Sequence, residues 1–212
     1  MDQMNLLKQG LEHLRINPSE KQISQLLNYA SEILRWNKRS NLVKADDQSI
    51  ITHHILDSLS PLEFFKTENP ETMLDVGSGA GLPGIPLAIF LDKTRITLCE
   101  RMSKRTGFLE NMRLQLGLKN LDVFTGEYQD LKNNYDIITM RAFAALQDCI
   151  QGLAEKLTPR GRILALKGRL STIAEELALL DNTLYSWQTL ELAVPFLEKS
   201  ERHLVIINKA SS

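Results

Sequence analysis

Residues 74–84 read Leu74-Asp75-Val76-Gly77-Ser78-Gly79-Ala80-Gly81-Leu82-Pro83-Gly84. An apolar run leads into an acidic residue and a loop with four glycines, and a second apolar run follows. Because glycine lacks a Cβ atom, such a loop can turn sharply and approach a ligand closely, and a helix after it presents N–H groups at its positive end. Pro83 and Pro86 suit the start of that helix, where a missing N–H donor costs little. The stretch predicts a strand, a ligand-binding loop and a helix.

The segments around this loop alternate between β-rich and helical patterns. Strands are predicted at residues 73–76, 96–100, 122–125, 135–140 and 163–167, and helices at 85–91, 104–116, 146–157 and 172–180. Two last strands, at 189–194 and 203–208, have no helix between them and are predicted to form an antiparallel hairpin. The alternation is typical of βαβ units. It predicts an α/β, doubly wound Rossmann-like fold with a mostly parallel seven-stranded sheet and an antiparallel last strand.

The first seventy residues have a helical pattern instead. Apolar residues recur at helical spacing over residues 6–14 and 23–36, and Ser19 is the predicted N-cap of the second run. A third helical run covers roughly residues 50–65. We expect this extension to pack on the α/β domain without being an independent module. The two parts, extension and domain, are predicted to comprise residues 1–70 and 71–212.

Composition bounds the class of the protein. The chain has 212 residues, of which 43% are hydrophobic, and a net charge of −1, so it is not basic throughout. Its two cysteines, Cys99 and Cys149, lack the spacing of a zinc site, and no disulfide framework is expected. The N-terminus has no apolar signal core, and no apolar stretch is long enough to span a bilayer. We therefore expect a cytoplasmic protein with no membrane segment and no metal.

Three ligand classes compete for the glycine loop. A nucleoside-triphosphate loop needs Lys and then Ser or Thr after its last glycine, but Ile85 and Pro86 stand there. A dinucleotide fingerprint fits by spacing, since Gly79-x-Gly81-x-x-Gly84 is G-x-G-x-x-G, although this match is weak by itself. The third class is S-adenosylmethionine. The ammonium group of its amino acid arm would be attracted by the carboxylate of Asp75, whereas the negative charge of a pyrophosphate would be repelled by it.

A second carboxylate, Glu100, ends the next predicted strand, about 25 residues beyond Asp75. A carboxylate at this place can bind both hydroxyls of a ribose. A nicotinamide dinucleotide and S-adenosylmethionine both require such a carboxylate, so Glu100 does not distinguish between them. Chain length distinguishes them better, because a dehydrogenase usually needs a second substrate domain, for which we expect no room in this chain. We favour S-adenosylmethionine, and the alternative is a loop that only tightens a strand–helix turn.

The end of the fourth predicted strand indicates the kind of methyl acceptor. It reads Arg141-Ala142-Phe143 and lacks the Asn-Pro-Pro-Tyr and Pro-Cys motifs of exocyclic-amine and pyrimidine-C5 methylation. A neutral nucleophile such as guanine N7 already presents a lone pair, so it needs positioning and no general base. Arg141 is a candidate to hold the cofactor or the guanine edge, because arginine pairs well with guanine O6. The alternative is a surface arginine.

Basic residues cluster in three places, any of which is more often a solvated face than a binding site. Together they would converge on phosphates if the extension covers the strand ends. His53 and His54 are expected to lie on a helix with one of them buried, and they point apart, which argues against a metal site. The basic clusters are Arg35, Lys38, Arg39 and Lys44; Arg160, Arg162, Lys167 and Arg169; and Arg202, His203 and Lys209.

With these residues, the sequence resembles the RsmG (GidB) methyltransferases, which modify a guanine at N7 in small-subunit ribosomal RNA. The resemblance covers nearly the whole chain, and the Gly-Leu-Pro-Gly-Ile-Pro and Trp-Asn motifs are more specific than the general methyltransferase core. The matching motifs are Trp36-Asn37-x-x-x-Asn41-Leu42, His54-Ile55-Leu56-Asp57-Ser58-Leu59, residues 75–86, Lys104-Arg105-x-x-Phe108-Leu109, Arg141-Ala142, Ala165-Leu166-Lys167-Gly168 and Glu201-Arg202-His203-Leu204.

The resemblance implies a methyltransferase fold in which residues 71–212 bind S-adenosylmethionine. It implies that Gly77, Gly79 and Leu82 line the cofactor pocket beside Asp75. Glu100 would bind the ribose, and Arg141 would lie beside the methionine arm.

The implied partner is small-subunit ribosomal RNA, free or in an assembling small ribosomal subunit. The RNA-facing residues that the resemblance implies are His54, Lys167, Arg202 and His203. From the first basic cluster we add Arg35 and Arg39. Arg141 and Lys167 are the candidates for positioning the reactants.

The chain departs from the family pattern at two places. His53 stands where the family usually has a basic residue, and Glu127-Tyr128-Gln129 replaces a common Arg-x-Glu. We still expect Tyr128 and Gln129 to meet the adenine, partly through backbone N–H groups. A methyltransferase acting on a small molecule, a non-catalytic nucleotide- or RNA-binding module and a nicotinamide dehydrogenase are the alternative functions.

Overall fold

The N-terminal part of the chain is helical, as predicted. In the computed structural model, which describes residues 2–210, α1 spans Gln3–His13 and α2 spans Glu20–Ser40. The predicted N-cap of α2 is confirmed: the Ser19 hydroxyl accepts a hydrogen bond from the Gln22 N–H, and the Gln22 side chain accepts one from the Ser19 N–H. This reciprocal pair satisfies two N–H groups that the helix itself leaves unbonded.

The predicted third helix is wrong as a single element. The chain forms π-helical turns at Ile50–Leu56, a short α3 at Asp57–Leu59 and then α4 at Leu62–Glu68. Pro61 separates α3 from α4, and proline cannot continue a helix because it lacks an N–H and its ring crowds the preceding turn. Asp57 is buried at the point where the π-helical turns are followed by α3.

A seven-stranded sheet forms the centre of the molecule, which confirms the predicted fold class. Its order is β3-β2-β1-β4-β5-β7-β6, and β7 pairs antiparallel with both β5 and β6, whereas the other pairs are parallel. The predicted hairpin of the last two strands is confirmed, with β7 inserted between β5 and β6. The strands are β1 Thr72–Val76, β2 Arg95–Glu100, β3 Leu121–Thr125, β4 Tyr135–Arg141, β5 Leu157–Lys167, β6 Tyr185–Glu191 and β7 His203–Lys209.

Two strand boundaries differ from the sequence-based ones. β6 runs from Tyr185 to Glu191 and so lies earlier than residues 189–194; it is an edge strand whose residues are half-buried and exposed in alternation, so no continuous apolar run marks it. β5 begins at Leu157, where a register shift against β4 and exposed residues before Gly161 hide its first half from the sequence pattern.

Helices cover both faces of the sheet, as a doubly wound fold requires. The remaining helices are α5 Gly84–Phe90, α6 Ser103–Gln115, α7 Leu146–Glu155 and α8 Leu170–Leu177. One core contains the apolar sides of α1, α2, α5 and α6, and the other contains those of α7 and α8. The extension therefore shares a core with one face of the sheet, and the division at residue 70 stays a prediction.

The parallel strands bring several chemically important residues to one edge. The carboxyl ends of β1, β2, β4 and β5 carry Gly77, Glu100, Arg141 and Lys167. β1 is flanked by β2 on one side and β4 on the other, which is the place where open α/β sheets bind ligands. Across residues 2–210, none of the helices is both long and apolar enough to cross a bilayer.

Candidate functional site

The glycine loop packs so closely that side chains are excluded from it. Gly77 has φ +66°, and a Cβ atom there would overlap the ring of Phe143. At Gly84, a Cβ atom would lie 2.7 Å from Asp75 Oδ2 and would also overlap Leu98. The glycines thus permit a left-handed turn and a close approach between the loop, β1 and the chain after β4.

Asp75 lies beneath the loop and is fully buried. Its Oδ2 accepts a hydrogen bond from the Gly84 N–H at 3.1 Å, while Oδ1 has no partner among the residues of the described chain. Burial raises the pKa of this carboxyl group to about 7, against the opposing effect of the Gly84 N–H. A buried carboxyl oxygen without a donor is a place where an ammonium or a water-mediated contact would be stabilised.

The start of α5 corrects one expectation. The first N–H groups of this helix do not remain free for a ligand: Gly84 donates to Asp75, and Ile85 donates to the carbonyl of Gly81 at 2.7 Å. Pro86 has no N–H to offer. Asp75 therefore acts as the acceptor at this helix start, and the loop itself must provide contacts to a bound nucleoside.

Glu100 links the end of β2 to the glycine loop. It is 4% exposed, its Oε2 accepts from the Gly79 N–H at 3.0 Å, and its Oε1 accepts from the Met102 N–H at 3.0 Å. Arg105 lies 3.4 Å from the same Oε2. A carboxylate has about four lone-pair directions, so acceptor capacity remains for hydroxyl groups of a sugar.

Two adjacent cavities open at this edge of the sheet, and Gly77, Arg105 and Ala142 line both. The smaller, of about 350 Å³, lies over the ends of β2 and β3, and we call it the nucleoside cavity. The larger, of about 560 Å³, lies between the sheet and the extension, and we call it the acceptor cavity. Glu100, Glu127, Tyr128 and Phe143 line the first; Gly79, Leu82, His54, Arg141, Lys167, Arg202 and His203 line the second.

The acceptor cavity is strongly cationic. Its lining holds five cationic side chains and one carboxylate, that of Asp57. This carboxylate accepts hydrogen bonds from Arg141 Nη1 at 2.9 Å and from Arg202 Nε at 3.0 Å. Such a surplus of positive charge in a concave site attracts anions such as phosphate groups. The cationic residues are Lys44, Arg105, Arg141, Lys167 and Arg202.

His54 is half-buried in the wall of the acceptor cavity, whereas His53 is exposed. The Nε2 atom of His54 lies 3.2 Å from the carbonyl oxygen of Lys44, so Nε2 carries the hydrogen, and Nδ1 then accepts from Arg141 Nη2 at 3.5 Å. Burial, assisted by the charge of Arg141, lowers the pKa of His54. The ring is therefore neutral near pH 7.

Lys167 and His203 both reach the acceptor cavity with hydrogen bonds already made. Lys167 Nζ donates to the carboxylate oxygens of Glu176 at 3.0 and 2.8 Å and to the Ala144 carbonyl at 3.3 Å. These three bonds match the three hydrogens of an ammonium group. His203 Nδ1 lies 2.7 Å from the Gly168 carbonyl and donates to it, which leaves Nε2 as an acceptor if the ring is neutral.

Some residues predicted for the site lie elsewhere. The side chain of Gln129 is exposed and lines neither cavity, whereas its neighbour Tyr128 is buried and does. Arg35 and Arg39 line a separate groove of about 670 Å³, which we call the basic groove. Arg162 lies in the middle of β5, away from Lys167 at the end of the strand, and pairs with Glu68, so that sequence cluster does not converge.

Three contributors were missed by sequence reasoning. Phe143 and Glu127 line the nucleoside cavity, and Asp57 joins two arginines in the acceptor cavity. Asp57 carried a signal: an acidic residue inside the apolar run Ile55-Leu56-Asp57-Ser58-Leu59 is expected to be buried only when paired. It also stands three residues after His54, on the same side of a helical segment. The partners of Asp57, however, are far away in sequence.

These residues fit S-adenosylmethionine. The unpartnered Asp75 Oδ1 is suited to a cationic amino acid arm, the glycine loop admits close approach, and Glu100 ends β2 where a ribose would lie. The combination of this site with a doubly wound sheet ending in an antiparallel strand defines an S-adenosylmethionine-dependent methyltransferase.

Comparison with known proteins identifies the family. Residues 22–205 match the family described as rRNA small subunit methyltransferase G (GidB). The chain is 37% identical to the ribosomal RNA small subunit methyltransferase G of Treponema denticola, over 96% of this chain and 94% of that one. For the protein of the same name from Neisseria meningitidis serogroup B, identity is 36%, over 99% and 100%. The chain belongs to the rRNA small subunit methyltransferase G family.

Solved structures agree at the level of the fold. An O-methyltransferase from Bacillus cereus in complex with SAH has a TM-score of 0.58 at 14% identity, and the alignment covers 87% of this chain and 91% of that one. An rRNA methylase from Streptococcus thermophilus has a TM-score of 0.52 at 12% identity, covering 71% and 94%. At such identities the likeness concerns the Rossmann-like methyltransferase architecture alone.

Proposed function

We propose that this protein transfers a methyl group from S-adenosylmethionine to N7 of a guanine in small-subunit ribosomal RNA, in the cytoplasm. The observation that carries the proposal is the family match over residues 22–205, joined by relatives of the same name that align over nearly the full chain. The substrate is ribosomal RNA, either free or in an assembling small subunit.

The cofactor is assigned to the nucleoside cavity and the adjoining loop. Glu100 would accept the ribose hydroxyls, and Tyr128 would flank the adenine together with Phe143, against which it packs edge to face at 6.2 Å. Gly77, Gly79 and Leu82 would border the methionine arm, whose ammonium group Asp75 would stabilise. Gln129 is left with at most a backbone contribution, because its side chain points away from the cavity lining.

Methylation of guanine N7 makes few chemical demands on the acceptor cavity. Bound S-adenosylmethionine would supply the methyl group from its sulfonium, and because N7 attacks with a lone pair, no proton would have to leave the guanine. The site therefore needs no general base, and Arg141 can serve by donating to guanine O6. The hydrogen-bonding groups of His54 and Lys167 are already used within the protein, so His54 would act by shape and Lys167 by shape and charge. Positioning is the main contribution of the protein.

Two surfaces are assigned to RNA. In the acceptor cavity, Arg202, His203, His54 and Lys167 would contact the nucleotides around the target guanine. Outside it, Arg35 and Arg39 line the basic groove with Lys38 and Lys104, and Arg35 also pairs with Glu32. The two surfaces adjoin along the chain, because Lys104 and Arg105 are neighbours and line one each. An RNA backbone could follow this path towards the target base.

The test is methylation of small ribosomal subunits taken from a strain that lacks this activity. Labelled cofactor and purified protein should produce 7-methylguanosine, identified by mass spectrometry of digested RNA. The Glu100→Ala variant should lose incorporation, whereas the control Glu110→Ala, which removes only a surface pair with Arg113 on α6, should retain it. Incorporation at another atom, or none with either subunits or naked RNA, would overturn the proposal.

A further inference from the structure

One carboxylate joins three distant parts of the chain in the wall of the acceptor cavity. Asp57 belongs to the N-terminal extension, Arg141 ends β4, and Arg202 directly precedes β7. Asp57 Oδ2 lies 2.9 Å from Arg141 Nη1, and Oδ1 lies 3.0 Å from Arg202 Nε. Each carboxylate oxygen therefore holds one guanidinium group.

Asp57, Arg141 and Arg202 are largely buried, which strengthens the electrostatic interactions between them. The side chains of Asp57, Arg141 and Arg202 are 9%, 16% and 26% exposed, so solvent screens them less than it screens surface ion pairs. Without the carboxylate, two guanidinium groups would face each other in a cavity that already holds Lys44 and Arg105. Their repulsion would separate them and leave their directions undetermined.

The other hydrogen bonds of the two guanidinium groups show which arginine depends on Asp57 for its orientation. Arg141 is further held by the His53 carbonyl and His54 Nδ1, both at 3.5 Å. The Arg202 guanidinium makes only one other hydrogen bond, from Nη1 to the Glu201 carbonyl at 2.8 Å, and its Nη2 meets no acceptor in residues 2–210. The orientation of Arg202 thus depends on Asp57, and its Nη2 hydrogens are available to an anion.

We propose that Asp57 is a positioning residue, which fixes Arg141 and Arg202 side by side so that their remaining N–H groups meet the target nucleotide. The inference rests on the proposed function, since it assigns the guanine edge to Arg141 and a flanking phosphate to Arg202. It also gives the N-terminal extension a part in the reaction. Asp57 acts through the two arginines and needs no contact with the substrate.

Asp57→Asn tests simultaneous binding of both arginines. The amide keeps one acceptor oxygen and replaces the other with a donor, so it can hold only one guanidinium group. We expect kcat/KM on small subunits to fall roughly 10- to 100-fold, with most of the loss in kcat. The matched control is Glu68→Gln, which removes another ion pair between extension and sheet, at 2.8 Å from Arg162 and remote from both cavities. It should change the melting temperature but not the kinetics.

A merely structural role would give a different result. If Asp57→Asn lowers the melting temperature and leaves kcat and KM unchanged at a temperature where it is folded, the proposal is overturned. In a double-mutant cycle, Arg202→Gln should cost much less activity in the Asp57→Asn background than in the wild type, because the same interaction is already lost. Additive losses would also contradict the proposal.

A measurement without turnover separates this inference from the proposed function. The Arg202 Nε–H group should give a protected nitrogen–hydrogen resonance in the wild-type protein, which Asp57→Asn weakens and Glu68→Gln leaves intact. If no RNA is methylated but this signal behaves as expected, the proposed substrate fails while the fixed arginine remains. If RNA is methylated and the signal is the same in Asp57→Asn, the positioning role is wrong.

Discussion

At the scale of single residues, Asp75 is a buried carboxyl group whose charge depends on what lies beside it. Burial raises its pKa to about 7, so roughly half of the cofactor-free molecules carry a proton there near pH 7. Its ordinary pKa is 3.8, so the folded state binds the proton more tightly than the unfolded chain does. Its contribution to stability is therefore complete below pH 3.8 and is lost as the pH rises through about 7.

We predict that binding of S-adenosylmethionine releases a proton from Asp75 near pH 7. The cationic arm of the cofactor favours the ionised carboxylate and so lowers its pKa. When the cofactor is titrated calorimetrically in two buffers with different ionisation enthalpies, the binding heats should differ. The difference should correspond to the release of roughly half a proton per bound cofactor. Asp75→Asn keeps an acceptor for the Gly84 N–H but cannot titrate, and its heat should not depend on the buffer. Equal buffer dependence in both proteins would assign the proton to another group.

Some site residues could be predicted from the sequence and others could not, because sequence patterns describe only residues that are near one another along the chain. Asp75, Gly77 and Glu100 were recognisable, since their types and spacing follow from one strand–loop–helix unit and the next strand. The pairing of Asp57 with Arg202 requires the extension to fold back over β7, which no local pattern specifies. The exposed side chain of Gln129 could not be foreseen for a related reason: a single 3-10 turn at Tyr128–Asp130 decides which side chain faces the cavity.

At the scale of elements, the end of α2 and the start of α6 form the basic groove. Lys104 Nζ donates to the Arg39 carbonyl at 3.1 Å, which ties the two helices together and places cationic side chains on both sides. Lysine and arginine in the last turn also interact favourably with the negative end of α2. This interaction with the helix end is enough to explain the basic residues of α2, so a role of the basic groove in RNA binding requires a separate test.

We predict that Lys38→Gln combined with Arg39→Gln raises KM for the RNA substrate without changing kcat. Both side chains are exposed and outside the acceptor cavity, so they would contribute to binding and not to positioning at the target. The slope of log KM against log salt concentration should fall by about 1 to 2, as expected when two phosphate contacts are lost. Kinetics at several salt concentrations would measure this slope.

The control variant combines Lys132→Gln with Arg160→Gln, which removes the same charge from exposed positions near the opposite edge of the sheet. A similar effect of the control would mean that the basic groove has no specific role in RNA binding.

Elements were predictable in proportion to their local signals. The Ser19 N-cap of α2 and the buried parallel strands have such signals, and apart from the first half of β5 their positions agreed with the sequence pattern. The third helix failed because apolar periodicity over residues 50–65 does not distinguish π-helical turns from α-helix, and β6 failed because an edge strand lacks a buried apolar run.

At the scale of the whole molecule, the extension is built into the site and into the core. Tyr29 of α2 is fully buried and donates from its hydroxyl to the Ala80 carbonyl at 2.6 Å, so the extension holds the glycine loop directly. α2 and α3 also contact α5, the helix that follows this loop. The glycine loop, Arg141 and Arg202 thus each have a partner from the extension. A structure of this kind indicates one folding unit with the site at its internal junction.

We predict that a chain of residues 71–212 does not fold cooperatively. On α5, Ile85 and Leu87 are fully buried and Ile89 is 5% exposed, in a core that they share with α1 and α2. Exposing a buried aliphatic side chain costs about 1.5–3 kcal/mol, so a few of them match the total stability of a domain, about 5–15 kcal/mol. Thermal unfolding followed by circular dichroism should be broad, and the chain should bind a hydrophobic dye. Supplying residues 1–70 as a separate chain should restore a sharp transition if the shared core is the cause. A sharp transition and cofactor binding by residues 71–212 alone would instead make the extension a separable module, and its contacts with Ala80, Arg141 and Arg202 would then be dispensable for forming the cofactor site.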